Sequence, residues 1–184
     1  MHKALEIGQV GAAPSFVFDE RGYPCCVWIS GHSVNHSLFD GSRWNTLGDE
    51  NSIATSTEPL RLSKNCVAVG RDRAVHVVYL AGSTLNYLYW DGSLWQQEVV
   101  AYDQPAGLRD WSLVLGPDPF LTTLVDNYVS CTVNMYRRVA GAWQLVASES
   151  VFPSSPTVLA TSLPRALKDV SRCFGGLSCR GKHG

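Results

Sequence analysis

The sequence predicts an all-β fold made of repeated four-stranded sheets, and three observations support this prediction. The segment at residues 35–44 recurs at 86–95 and, more faintly, at 134–143, with Asn and Trp nine positions apart in every copy. The first two copies keep one register over some thirty residues, at an offset of 51, and the third follows at an offset of 48. Each copy contains short β-branched and aromatic segments that are separated by Gly, Asp, Asn and Pro.

The first copy shows the expected order of elements. Strands are predicted at residues 14–18, 24–30, 34–39 and 44–47, with turns at 19–22 and at Asp40-Gly41-Ser42. Asp-Gly favours a tight hairpin because the turn needs a positive φ, which glycine adopts without steric cost. Four antiparallel strands that recur every 48 to 51 residues describe the blade of a β-propeller. An immunoglobulin-like sandwich lacks this periodicity, and a helical solenoid would space its apolar residues differently.

Three blades are predicted, and they do not close a ring by themselves. We place them at about residues 14–50, 65–102 and 111–151, with an N-terminal closing strand at 4–10 and an extra strand at 155–160. A tail that contains Cys and Gly, residues 161–184, lacks the repeat and is expected to be flexible. Since the smallest closed propellers have four blades, the chain is expected to be part of a larger ring, or half of a six-bladed homodimer. The fragment is the favoured reading.

Composition narrows the range of functions. The chain has 184 residues, of which 17% are charged and 45% hydrophobic, and a formal net charge of -1. A nucleic-acid or membrane partner that is recognised by bulk charge is therefore not expected. Neither a membrane-spanning apolar run nor a targeting segment is recognised, and the compartment is left open. The six cysteines contain no CxxC pair and are expected to be mainly free thiols.

The turn and strand residues together resemble a known family. The stretch from Asp19 through Trp28 to Trp44, with a fuller version at residues 76–79 and 88–100, is similar to the blades of uncharacterised, mostly bacterial β-propeller repeat proteins. The resemblance covers roughly residues 4–151 and implies the architecture, whereas such propellers include lectins, lyases, glycosidases and interaction platforms. The Asp-box of sialidase-like propellers matches imperfectly, because Asp40 and Trp44 stand four residues apart instead of five.

Some aromatic and charged residues are candidates for ligand binding. Trp44, Trp95 and Trp143 occupy equivalent places in the copies and are expected to pack between blades. Two other tryptophans break the repeat, and an aromatic face can stack on a sugar ring. The most polar loop between blades, at residues 102–111, adds charged side chains beside one of them. The predicted ligand-binding residues are Trp90, Asp103, Arg109, Asp110 and Trp111.

The remaining acids and histidines are expected to be structural. Loop carboxylates commonly bond their own backbone, and a His-x3-His spacing on a hairpin is a weak metal signal. This group consists of Asp19, Asp72, Asp118, His32, His36 and His76. No metal and no cofactor are expected, and no GxSxG, HExxH or phosphate-binding loop is present.

The favoured hypothesis is a non-enzymatic module that binds a glycan or a protein. Its alternatives are a fragment of a propeller glycoside hydrolase or lyase, and a truncated chain without independent function. A glycosidase would need two carboxylates that face each other across a cleft, which the order of residues along one chain does not reveal.

Overall fold

The computed structural model describes residues 14–48, 52–126 and 131–151 of the chain. These residues form thirteen β-strands and no helix, so the prediction of an all-β fold is confirmed. No helix of this part of the chain could span a membrane. The segments predicted at residues 4–10, 155–160 and 161–184 lie outside the described residues.

The first sheet has five strands and closely follows the predicted order. Its strands are β1 Ser15–Phe18, β2 Pro24–Ser30, β3 Ser33–Phe39, β4 Trp44–Asn45 and β5 Ser52–Thr55. Strands β1 to β4 pair in sequence order, and β5 pairs with the other end of β3. The first three strands start and end within one residue of the prediction. The fourth stops at Asn45, two residues early, and β5 then continues the edge of the sheet along β3, an arrangement that the sequence did not indicate.

The second sheet has eight strands and is curled. In chain order they are β6 Leu60–Val69, β7 Val75–Ala81, β8 Thr84–Trp90, β9 Trp95–Ala101, β10 Leu108–Leu115, β11 Pro119–Asp126, β12 Cys131–Val139 and β13 Ala142–Val151. Strands β6 to β9 form one antiparallel meander and β10 to β13 another. The two meanders meet where β6 and β10 run parallel, with Ser112 opposite Asn65.

The core of the described residues consists of two clusters, one on each face of the β6–β9 meander. Neighbouring residues of a strand point to opposite faces, so β7 contributes Val77 to one cluster and Val78 to the other. The first cluster packs this meander against the first sheet, and the second packs it against β10–β13. Trp95 and Trp143 pack against the first and second cluster respectively, as their equivalent positions predicted. Trp44 instead packs on Phe39 of its own sheet, with ring centroids 5.6 Å apart.

A bulge in β6 explains why Trp111 is buried. The register between β6 and β7 shifts between Leu62 and Val67, so that Val78 has no partner residue in β6. The indole Nε1–H of Trp111 donates to the Val78 carbonyl oxygen at 3.0 Å, across the interface between the meanders. Trp111 thereby supplies the Val78 carbonyl with the hydrogen-bond donor that β6 does not provide at the bulge. Trp111 is 1% exposed.

The two Asp-Gly-Ser turns have matching geometry. Asp40 and Asp91 each accept a backbone hydrogen bond from the serine two residues ahead, at 2.8 and 2.9 Å. Gly41 and Gly92 have φ angles of 102° and 103°, as the requirement for positive φ predicted. Backbone N–H groups, first those of Arg43 and Leu94, hold the pKa of both carboxyls well below its usual range.

Of the four cysteines in the described residues, three follow the expectation of free thiols. Cys25, Cys26 and Cys66 are free and buried, and burial raises the pKa of each thiol to about 12. They behave as small core residues, not as reactive groups. The expectation is wrong for Cys131, which is disulfide-bonded. Spacing along the chain does not show which thiols meet in space.

Candidate functional site

A cleft of about 1000 Å³ opens at one end of the two meanders. Its floor and walls come from the β6–β7 turn, the end of β8, the β10–β11 turn and β12, with Glu20 of the first sheet at the rim. The residues that line it are Glu20, Val69, Gly70, Arg71, Asp72, Ala74, His76, Tyr87, Tyr89, Trp90, Asp91, Leu115, Gly116, Pro117, Pro119 and Arg138. Apolar rings and charged groups thus face the same concave space, which is the usual composition of a small-molecule site.

Three stacked rings form one wall of the cleft. The register of β7 and β8 places His76 directly opposite Tyr89, and Tyr87 lies two residues from Tyr89 on the same face. The His76 and Tyr89 rings lie 13° from parallel with centroids 6.2 Å apart, and the Tyr87 and Tyr89 centroids are 5.4 Å apart. The Arg138 guanidinium stands 5.0 Å from the Tyr89 centroid. The wall therefore combines aromatic surface with a cation.

Both arginines that line the cleft are paired with a carboxylate. Arg138 donates to Glu98 through Nε at 2.7 Å and through Nη2 at 2.5 Å, a bidentate pair that raises the pKa of the guanidinium. Arg71 donates through Nε to Glu20 at 3.1 Å, and both side chains are largely exposed. The Arg138–Glu98 pair is fixed by two hydrogen bonds, whereas the exposed Arg71–Glu20 pair contributes little to stability.

His76 is neutral at neutral pH. Burial lowers its pKa to about 4, and Arg138 acts in the same direction while Asp72 opposes it. Its Nδ1 is hydrogen-bonded to the Tyr87 hydroxyl at 2.6 Å, so Nε2 is the ring nitrogen left for the cleft. The sequence predicted a structural role for His76, and the structure adds that its ring borders the cleft.

Trp90 lines both the large cleft and a smaller one of about 500 Å³. The smaller cleft is lined by Asp40, Arg43, Leu47 and other residues of the first sheet, and by Asp72 and Asp91, which also line the large one. Trp90 is half-buried and packs edge-on against Trp95, with centroids 5.8 Å apart. Of the five predicted ligand-binding residues, Trp90 alone lines a cleft.

The other four predicted site residues line neither cleft. Trp111 lies in the core and has no exposed face on which a sugar could stack. Asp110 accepts hydrogen bonds from Ser63 Oγ and from the Trp111 backbone, which tie it to the β6 bulge. Asp103 is exposed with a φ of 51°, and Arg109 is exposed beside Asp126 at 3.7 Å. The structure does not bring these residues together with Trp90.

Sequence reasoning missed Tyr89, Arg138 and the place of His76 in the cleft. The pairing of His76 with Tyr89 follows from the hairpin register, and the recurring Asn86 and Trp95 could have fixed that register. Arg138 comes from a different meander, so its approach to Tyr89 depends on how the meanders pack. No signal within one repeat contains that information.

The remaining acids and histidines bond mainly to nearby backbone. Asp19 accepts from the backbone of Arg21 and Tyr23, and Asp72 accepts from the backbone of Ala74, as predicted for turn formers. Asp118 differs because it pairs with the Arg137 side chain. His32 Nδ1 contacts the Ser56 carbonyl, and His36 Nε2 accepts from Leu47 N–H. Within the described ranges no group of His, Cys, Asp and Glu could hold a metal ion.

No protein-family model matches the chain, and no curated protein shows significant similarity to it. The resemblance to bacterial propeller repeats therefore stays a prediction, and the functional argument depends on the cleft.

Proposed function

We propose that this protein is a non-enzymatic carbohydrate-binding module and that its site is the cleft beside Trp90. One observation carries the proposal: Trp90 and Tyr89 present aromatic surface to a concave space that also contains Asp72 and His76. Sugars bind through their apolar C–H faces, which stack on aromatic rings, and through hydroxyls, which need nearby donors and acceptors. The cleft offers both kinds of contact.

We further propose that the three sheet units are blades of a β-propeller. Two features support this. Four consecutive antiparallel strands recur in β1–β4, β6–β9 and β10–β13, and the β6–β9 meander shares one core cluster with the first sheet and another with β10–β13. Completion of the ring is proposed through a longer parent chain or a second copy of this chain. Phe16 and Phe18 of β1, 50% and 66% exposed, are apolar surface available to the second arrangement. The molar mass in solution, from light scattering, distinguishes a dimer from a monomer.

Among the carboxylates that line the cleft, Asp91 favours binding without hydrolysis over a glycosidase. A glycosidase needs a carboxylic acid whose pKa is raised so that it can protonate the leaving oxygen. The pKa of Asp91 is shifted in the opposite direction by the backbone N–H groups of Leu94 and Ser93. Asp91 is therefore a turn carboxylate and a poor general acid.

The test is glycan retention by the purified chain on an array. We expect Trp90→Ala to weaken binding by about tenfold, the loss expected for one stacking ring of roughly 1.4 kcal/mol. Tyr102→Ala is the matched control, because Tyr102 is a 70% exposed aromatic side chain that lines neither cleft.

Equal retention by the Trp90→Ala variant would refute this site. Release of cleaved sugar from retained glycans would favour the glycosidase alternative. Retention of protein ligands only would move the proposal to a protein-binding module.

A further inference from the structure

We infer that the cleft selects uncharged glycans over acidic ones and that Asp72 and His76 bind adjacent sugar hydroxyls in a notch beside Gly70. This inference rests on the proposed function and adds the class of ligand. It follows from the charges of the cleft, from the space at Gly70 and from the hydrogen-bonding groups that face this space.

The first step concerns charge. A sialic acid, uronic acid or sulfated sugar is held by an arginine whose donors are available for its anionic group. Arg138 donates to Glu98 and Arg71 donates to Glu20, so the positive charge of each arginine is already balanced by a neighbouring carboxylate. Asp72 and Asp91 add negative charge to the lining. The electrostatics of the cleft therefore disfavour an acidic ligand.

The second step concerns space. A Cβ built on Gly70 would lie 2.7 Å from Asp72 Oδ1 and 3.7 Å from His76 Nε2. Gly70 does not have a left-handed φ, so an alanine is compatible with the backbone and the conflict is with Asp72. The absence of a side chain at Gly70 lets the Asp72 carboxylate approach the backbone closely, and Asp72 and the His76 imidazole both lie within 4 Å of the position that the Cβ would take. Gly70, Asp72 and His76 all line the cleft, and the part of the cleft beside them is the notch.

The third step concerns hydrogen bonds. Asp72 Oδ1 accepts from the Ala74 backbone at 3.0 Å, which fixes the carboxylate, and Oδ2 makes no hydrogen bond with the described residues. Tyr87 engages His76 Nδ1 and leaves Nε2 for a ligand. A hydroxyl both donates and accepts, so one hydroxyl can donate to Asp72 while its neighbour bonds to His76. A sugar with two adjacent hydroxyls matches this pair.

The experiment compares neutral gluco-, galacto- and manno-oligosaccharides with sialylated and uronate-containing ones. We expect the unaltered chain to retain the neutral set. Asp72→Asn keeps the acceptor for Ala74 but removes the charge, and Gly70→Ala places a Cβ against the Asp72 carboxylate and so displaces it. Each is expected to weaken neutral binding by about tenfold, because each removes or displaces a hydrogen bond between a sugar hydroxyl and a charged carboxylate.

Asp103→Asn is the matched control for Asp72→Asn, because Asp103 is an exposed acid that lines neither cleft and asparagine also tolerates its φ of 51°. Unfolding curves check that each variant folds, and Asp72→Asn carries the test if Gly70→Ala does not. The inference is overturned if acidic glycans bind more tightly, or if both variants bind as well as the control while Trp90→Ala does not. In that second case the proposed function stands. Absence of glycan retention by the unaltered chain overturns the proposed function itself and the inference with it.

Discussion

Replacement of Trp111 by phenylalanine should destabilise the fold more than its change in volume implies. Trp111 Nε1 is the donor to the Val78 carbonyl at the β6 bulge, and phenylalanine leaves this buried oxygen without it. An unsatisfied buried acceptor costs roughly 1–3 kcal/mol. The smaller ring leaves a void, which adds about 1 kcal/mol. We therefore expect Trp111→Phe to lower the free energy of unfolding by about 2–4 kcal/mol, a large share of the stability of an ordinary domain.

The matched control is Trp143→Phe. Trp143 packs at the same interface, 5.0 Å from Tyr87, but its buried Nε1 finds no partner among the described residues. This substitution removes an unsatisfied donor, so its cost should stay near or below about 1 kcal/mol. Urea unfolding followed by far-UV circular dichroism measures both variants, with an unchanged m-value as the sign that only stability changed. Equal losses in the two variants would refute the role assigned to the Trp111 hydrogen bond.

Two further predictions concern a turn and a histidine. Gly41→Ala and Gly92→Ala both place a side chain at positive φ, but only the first puts a Cβ 2.7 Å from the Tyr23 hydroxyl. Thermal unfolding should therefore show the larger loss for Gly41→Ala, and equal losses would contradict this contact. Because the folded chain keeps His76 neutral down to a pKa of about 4, against 6.5 for a free side chain, unfolding takes up a proton between these values. The free energy of unfolding should fall by about 1–2 kcal/mol from pH 7 to pH 5, and His76→Asn should abolish this decrease. An unchanged slope in the variant would show that His76 is not the titrating group.

The candidate site shows where prediction from sequence stopped. Trp90 was singled out because it breaks the repeat, and it lines both clefts. Trp111 was singled out for the same reason, yet it is a core residue that completes an interrupted ladder. The sequence around the two tryptophans does not distinguish their roles. The feature that buries Trp111 is the bulge in β6, which is more than forty residues away along the chain.

The amino-acid sequence by itself determined the all-β class, the first three strands within a residue and the two Asp-Gly-Ser turns. These features depend on local chemistry: strand propensity, the side-chain bonds of aspartate and the freedom of glycine at positive φ. Tertiary structure decided the cleft. Arg138 reaches Tyr89, and Trp111 reaches Val78, only because the sheet curls and brings its two meanders together. Such contacts depend on how sheets twist and where a ladder bulges, and these long-range properties are not encoded in the pattern of any single repeat.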